Sequence, residues 1–182
     1  MKRVISSLFL PLTLVVIAGA QIPTCAELQR SADDRLERFS PPSDRGTEFE
    51  GSVYKALKAL ITDCHDSSLS PKYKEQFDKI SEHRAESQLL IAKFYIRKNR
   101  EDPQRFHLTG AISRLRSIRD EYTQFSRKDE VLYLLGSLYF KEKKLDESQQ
   151  YFRELEDNYP NSSRATAGVR YLSEIDAARL RQ

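Results

Sequence analysis

The chain has 182 residues, 39% of them hydrophobic and 31% charged, with a formal net charge of +3. That length suits one domain with a tail, and the apolar fraction excludes a disordered chain. Six glycines are too few for an all-β protein with its many turns.

The N-terminus reads as an export signal. Lys2 and Arg3 precede an apolar run from Leu8 to Ile17, too short for a comfortable membrane span. Ala18-Gly19-Ala20 then fits a signal-peptidase site. Residues 1–20 are therefore expected to be a signal peptide, with an exported chain starting at Gln21. Without Lys2 and Arg3, 28 of the 30 basic residues remain against 27 acidic ones, a balance of +1. No basic stretch interleaved with aromatics points to nucleic acid.

Two cysteines follow, Cys25 and Cys64. In an exported protein they can pair as one disulfide. Cys25 can instead carry lipid, as in a bacterial lipoprotein, although Ile22-Pro23-Thr24 lacks the small residues preferred before such a cysteine. Two free thiols are the third possibility.

Ala26 to Phe39 fits a short charged helix ended by Pro41-Pro42. Ser40 to Gly51, rich in Pro, Ser, Asp and Gly, reads as a linker. Residues 21–51 thus form an N-terminal segment ahead of a helical domain over 52–182. From Ser52 a helix carries Val53, Leu57, Leu60 and Ile61 on one side, and His65 to Ser68 closes it. Ser70 and Pro71 fit the cap and first position of the next helix. That helix runs to near Arg97, with Tyr73, Phe77, Ile80, Leu90, Ile91, Phe94 and Tyr95 apolar, and a break is expected near Ser81-Glu82-His83. Asn99 to Thr109 reads as a polar loop carrying Pro103. Gly110 to Tyr122 is a helix with Ala111, Ile112, Leu115 and Ile118 apolar.

From Glu130 to Tyr159 two amphipathic runs follow each other. The first places Leu132, Leu135, Leu138 and Tyr139 on one face, and the second Tyr151, Phe152 and Leu155. Lys143, Lys144 and Asp146 mark the turn between them, and Asn158-Tyr-Pro-Asn161 stops the second. A last helix starts near Arg164, capped by Ser162 or Ser163, and carries Val169, Leu172 and Ile175. The chain also matches itself. A shift of 37 places Leu115 on Phe152, Tyr122 on Tyr159 and Leu135 on Leu172. A shift of 44 places Ile91-Ala92 on Leu135-Gly136 and Tyr95 on Tyr139. The difference is a seven-residue insertion around Asn99 to Thr109. Two full helix pairs result, Glu82 to Tyr122 and Asp129 to Tyr159, with a less regular pair from Ser52 to Ser81 before them.

Leu135-Gly136-x-x-Tyr139, Ser148, Phe152 and Pro160 resemble a tetratricopeptide repeat. The resemblance makes Gly136 the point of close helix approach, Ser148 the small residue facing it, Phe152 an aromatic plug and Pro160 the closing proline. The expected fold is all-α, with antiparallel helix pairs stacked in a right-handed superhelix. Leu90 to Arg97, Ala111 to Leu115, Asp120 to Tyr122, Phe125 to Gly136 and Asp157 to Ser162 further resemble BamD-type proteins. These are tetratricopeptide lipoproteins of the bacterial outer-membrane assembly machinery. The resemblance covers roughly Ser52 to Ile175. It implies a scaffold in the periplasm, or on the periplasmic face of the outer membrane, whose partners are envelope proteins such as a barrel-assembly component. The alternative is a periplasmic adaptor for cell-division or peptidoglycan machinery.

Nothing reads as catalytic. His65, His83 and His107 lack metal-ligand spacing, and no phosphate loop, G-x-S-x-G or H-E-x-x-H occurs. No enzyme, cofactor or metal is expected. Binding remains. Repeats of this type line a concave groove with first-helix residues that point away from the partner helix. Carried over, these are Glu86, Leu89, Lys93, Ile96 and Arg97, then Glu130, Tyr133, Ser137, Phe140 and Lys141, then Arg170 and Glu174. Tyr133 and Phe140 are either binding anchors or packing against the preceding pair.

Overall fold

The computed structural model describes residues 22–38, 47–64, 71–102 and 105–180. The expected signal peptide, the Pro41-Pro42 stop, the closing stretch from His65, the Ser70 cap and Pro103 lie outside them. Seven helices and no strand occur among the described residues: α1 (Cys25–Arg38), α2 (Thr47–Asp63), α3 (Pro71–Glu101), α4 (Arg105–Glu121), α5 (Lys128–Lys141), α6 (Leu145–Asn158) and α7 (Ser163–Arg179).

α1 opens on a reciprocal cap. The Thr24 backbone N–H donates to the Glu27 carboxylate at 2.7 Å, and the Glu27 N–H donates back to the Thr24 hydroxyl at 3.3 Å. α1 packs on α2, burying Ala32 completely. Its start is bonded to the end of α2 by a Cys25–Cys64 disulfide, with the Cα atoms 5.5 Å apart. A sulfur so bonded has no valence left for a lipid. α2 begins at Thr47, so residues 47–51 of the stretch read as linker are helical.

α3 contains no break at Ser81-Glu82-His83. It is one helix of 31 residues, and from 72 to 101 it holds no glycine or proline to interrupt it. α2 lies alongside the expected break and splints it. The Glu50 carboxylate pairs with His83 Nδ1 at 2.8 Å. The Tyr54 ring stacks on Phe77 at 5.3 Å, and the Arg84 guanidinium lies 5.2 Å from the Tyr54 ring centre. The first pair (α2 with the front of α3) and the second (the back of α3 with α4) therefore share one helix. The register of the back half also differs from the expectation. Ala85, Leu89, Ala92 and Asn99 are buried, whereas Leu90, Ile91 and Phe94 are 59%, 37% and 45% exposed. The expected loop at 99–109 is mostly helix, because α3 continues to Glu101 and α4 starts at Arg105.

α5 and α6 form the regular hairpin. α5 ends with the Lys143 N–H bonded to the Phe140 carbonyl and the Lys144 N–H to the Tyr139 carbonyl, both at 3.0 Å. This is the Schellman arrangement that satisfies the last carbonyls of a helix, and it needs the left-handed φ of 60° at Lys143. Ser148 is fully buried and donates its hydroxyl to the Gly136 carbonyl at 2.9 Å. α4 is tied to α6 by the Arg119 guanidinium, which donates to both Glu154 oxygens. α7, capped by Ser162, packs on α5 and α6. It buries Ala165, Gly168, Leu172 and Ile175, while Val169, expected inside, is 44% exposed. The fold is all-α, with tetratricopeptide-like antiparallel pairs.

Candidate functional site

A groove of about 970 Å³ opens between the end of α3, the start of α4, α5 and α7. The repeat builds it, because each first helix turns its own pair's side inward and leaves the opposite side to the groove. Its apolar floor includes Ile96, Leu108, Tyr133, Leu138, Phe140 and Tyr171. Four rings meet beneath it. Tyr171 stacks on Phe152 at 4.8 Å and meets Phe140 edge-on at 5.1 Å. Tyr133 meets both Phe152 and Tyr171 edge-on at 6.2 Å. Burial pushes the Tyr171 hydroxyl above its ordinary pKa, and the Tyr133 hydroxyl acts in the same direction. The floor is thus preorganised, with rings fixed by the core below them.

The rim is cationic. Arg100, Lys141, Lys143 and Arg170 line the groove against a single carboxylate, Glu174. These four cations make no ion pair among the described residues, whereas Arg119, Arg127, Arg164 and Arg179 are all paired.

The structure brings Ile96, Tyr133, Ser137, Phe140, Lys141, Arg170 and Glu174 together along this groove. The other five expected residues lie elsewhere. Leu89 is core, with none of its surface exposed. Arg97 is exposed on α3 outside the groove. Glu86, Lys93 and Glu130 belong to an ionic spine. The buried Glu130 carboxylate takes Lys93 at 2.5 Å, Arg127 at 2.6 Å and Arg164 at 3.1 Å. Arg127 also holds Glu86 at 2.5 Å, and Arg164 holds Asp129 at 3.0 Å. The spine joins α3, α5 and α7, so these side chains are occupied in holding successive helices. Tyr171 and Arg100 were missed by the sequence reading. The 37-residue shift that puts Leu135 on Leu172 also puts Leu134 on Tyr171, which was the available signal.

Burial alone would raise the Glu130 carboxyl, but the hydrogen bonds and charges of Lys93 and Arg127 bring it below its ordinary value of 4.5. Asp129 is likewise lowered from 3.8: burial opposes the shift, and the Ser162 and Arg164 hydrogen bonds outweigh it. Groups lowered in the folded state stabilise it above their unfolded pKa and lose that contribution as pH falls through the folded value. Stability is therefore expected to be level above about pH 5 and to decline below about pH 4. Glu130→Gln should lower the neutral plateau by about 2 kcal/mol, discounted because the partner cations are more than a third exposed. Its decline in acid should be shallower than in the parent. Denaturant melts from pH 3 to pH 8 check both; identical curves would remove the spine from the account.

The profile of the tetratricopeptide repeat family matches residues 130–162, which span α5, α6 and the Pro160 turn. The chain contains a tetratricopeptide repeat. That repeat is a protein-interaction unit, and its first helix, α5, supplies the middle of the groove floor. No curated protein sequence matches the chain. Among the described residues no helix is long and apolar enough to cross a membrane, and no cluster of His, Cys, Asp and Glu could hold a metal ion.

Proposed function

We propose that the chain is a non-catalytic scaffold of the bacterial envelope that holds a segment of a partner protein in the groove between α3, α5 and α7. The observation that carries this reading is the pairing of a fixed aromatic floor with four unpaired cations on the rim. An apolar segment bearing acidic groups fits both, the rings anchoring it and the rim selecting its charge. Export is supported by the sequence of residues 1–20, and also by the Cys25–Cys64 disulfide, a bond that persists in oxidising compartments. A role in outer-membrane protein assembly rests on the BamD-type resemblance of the segments between Leu90 and Ser162.

The test reverses the rim charge. Lys141 and Arg170 are exposed, so Lys141→Glu with Arg170→Glu should leave the melting midpoint unchanged. Partner affinity should fall at least tenfold, about 1.4 kcal/mol. Capture from envelope extracts with parent and variant side by side reads this out. Loss of a barrel-assembly component from the variant supports the assembly role. Loss of division or peptidoglycan proteins instead points to the adaptor reading. Partners recovered equally by both would place binding outside the groove.

A further inference from the structure

Among the described residues, the polar side chains of the groove are five ions and three hydroxyls. The four cations can only donate hydrogen bonds, and Glu174 can only accept them. The hydroxyls are engaged with each other. Ser137 gives its proton to the Tyr133 carbonyl at 2.8 Å, and the Tyr171 hydroxyl has Ser137 and Tyr133 as its hydrogen-bonding neighbours. The walls are helices, whose backbone groups are bonded within themselves, and the Schellman turn closes the last carbonyls of α5. A segment lying here in extended form needs an acceptor for each buried N–H and a donor for each buried C=O. A side-chain amide meets both needs at once, and these eight polar side chains include none. Against this surface the N–H groups of a strand would lose water with only Glu174 to replace it, a loss that counts against every one of them.

We infer that the segment held in the groove is an amphipathic α-helix with an acidic flank, an inference that rests on the scaffold reading proposed above. A helix arrives with its backbone already bonded and presents side chains alone. Its apolar stripe meets Tyr133, Leu138, Phe140 and Tyr171 on the floor. Its acidic flank lies on the side of α3 and α5. There Arg100 stands next to the last residue of α3, Lys141 is the last residue of α5 and Lys143 follows just beyond, so three of the four unpaired cations gather at one end. From Tyr133 to Lys143 the groove offers about 15 Å, or roughly three turns of helix. A helix this short is marginal alone in water, so a free segment orders as it binds.

Fluorescence anisotropy with three labelled synthetic peptides of about 15 residues tests this. The first carries leucine at i, i+3, i+4 and i+7, with glutamate along one flank and alanine elsewhere. The second has the same residues rearranged so that leucine alternates with polar positions, the pattern of a strand. The third is the first with a proline at its centre. The first peptide should bind at least tenfold more tightly than either of the others. Lys141→Glu with Arg170→Glu should weaken its binding at least tenfold. If the second or third peptide binds as tightly as the first, and the charge reversal weakens it, the helix is overturned while the groove reading stands. Tight binding that survives the charge reversal lies outside the groove and overturns both. Binding by none of the three at about 1 mM also overturns the helix.

Discussion

Phe152→Ala is expected to lower stability by about 3–5 kcal/mol, a large part of the roughly 5–15 kcal/mol that holds a domain of this kind. The ring is completely buried and sits between two helices that approach because both offer glycine to it. A Cβ at Gly136 would lie 2.8 Å from its carbons, and one at Gly168 would lie 3.1 Å away. Removing the ring opens a cavity walled by α5, α6 and α7 and lets the stacked Tyr171 tilt. The groove floor should therefore loosen along with the core. A denaturant midpoint equal to that of the parent would mean that the α5–α6 register is wrong.

Breaking the Cys25–Cys64 disulfide comes next in size. The bond closes a loop with a sequence separation of 39, for which chain entropy gives about 4 kcal/mol, and measured losses commonly fall between about 2 and 5 kcal/mol. The paired Cys25→Ser, Cys64→Ser chain is expected to melt earlier by an amount in this range. Amide exchange should rise first across α1, which has few other ties, such as the Tyr73 hydroxyl donating to Asp33 at 2.8 Å and Arg35 donating to Ser52 at 3.0 Å. Exchange across α5 and α6 should not change. If reductant leaves both the midpoint and α1 exchange as they were, the cross-link contributes nothing to the fold.

The α5–α6 hairpin was legible because its residues have one role each: Gly136 for approach, Ser148 to bond the carbonyl facing it, Phe152 to fill, Pro160 to stop. Periodicity alone was less informative on α3. It says which side chains share a face, not whether a neighbour covers that face, so Leu90 and Phe94 looked like core and Leu89 like groove. The missing break has a similar origin. Ser81-Glu82-His83 is polar, but polarity does not end a helix without a glycine, a proline or a capping geometry. Of the groove, α5 and α7 were readable from the repeat. Glu130 was not, because Lys93 and Arg164, both distant in the sequence, join the neighbouring Arg127 on it only after folding.

The single helix α3, about 46 Å long, also sets how the molecule can move. An array with a turn at every joint can coil or open by small changes at each one. Here the joint between the disulfide-bonded front and the groove at the back is a rod. A load applied to α1 and α2 reaches the groove wall at Ile96 and Arg100 as a tilt of one lever and is not absorbed by bending in between. Two partners held at opposite ends of that rod would be kept at a set spacing, as on a ruler.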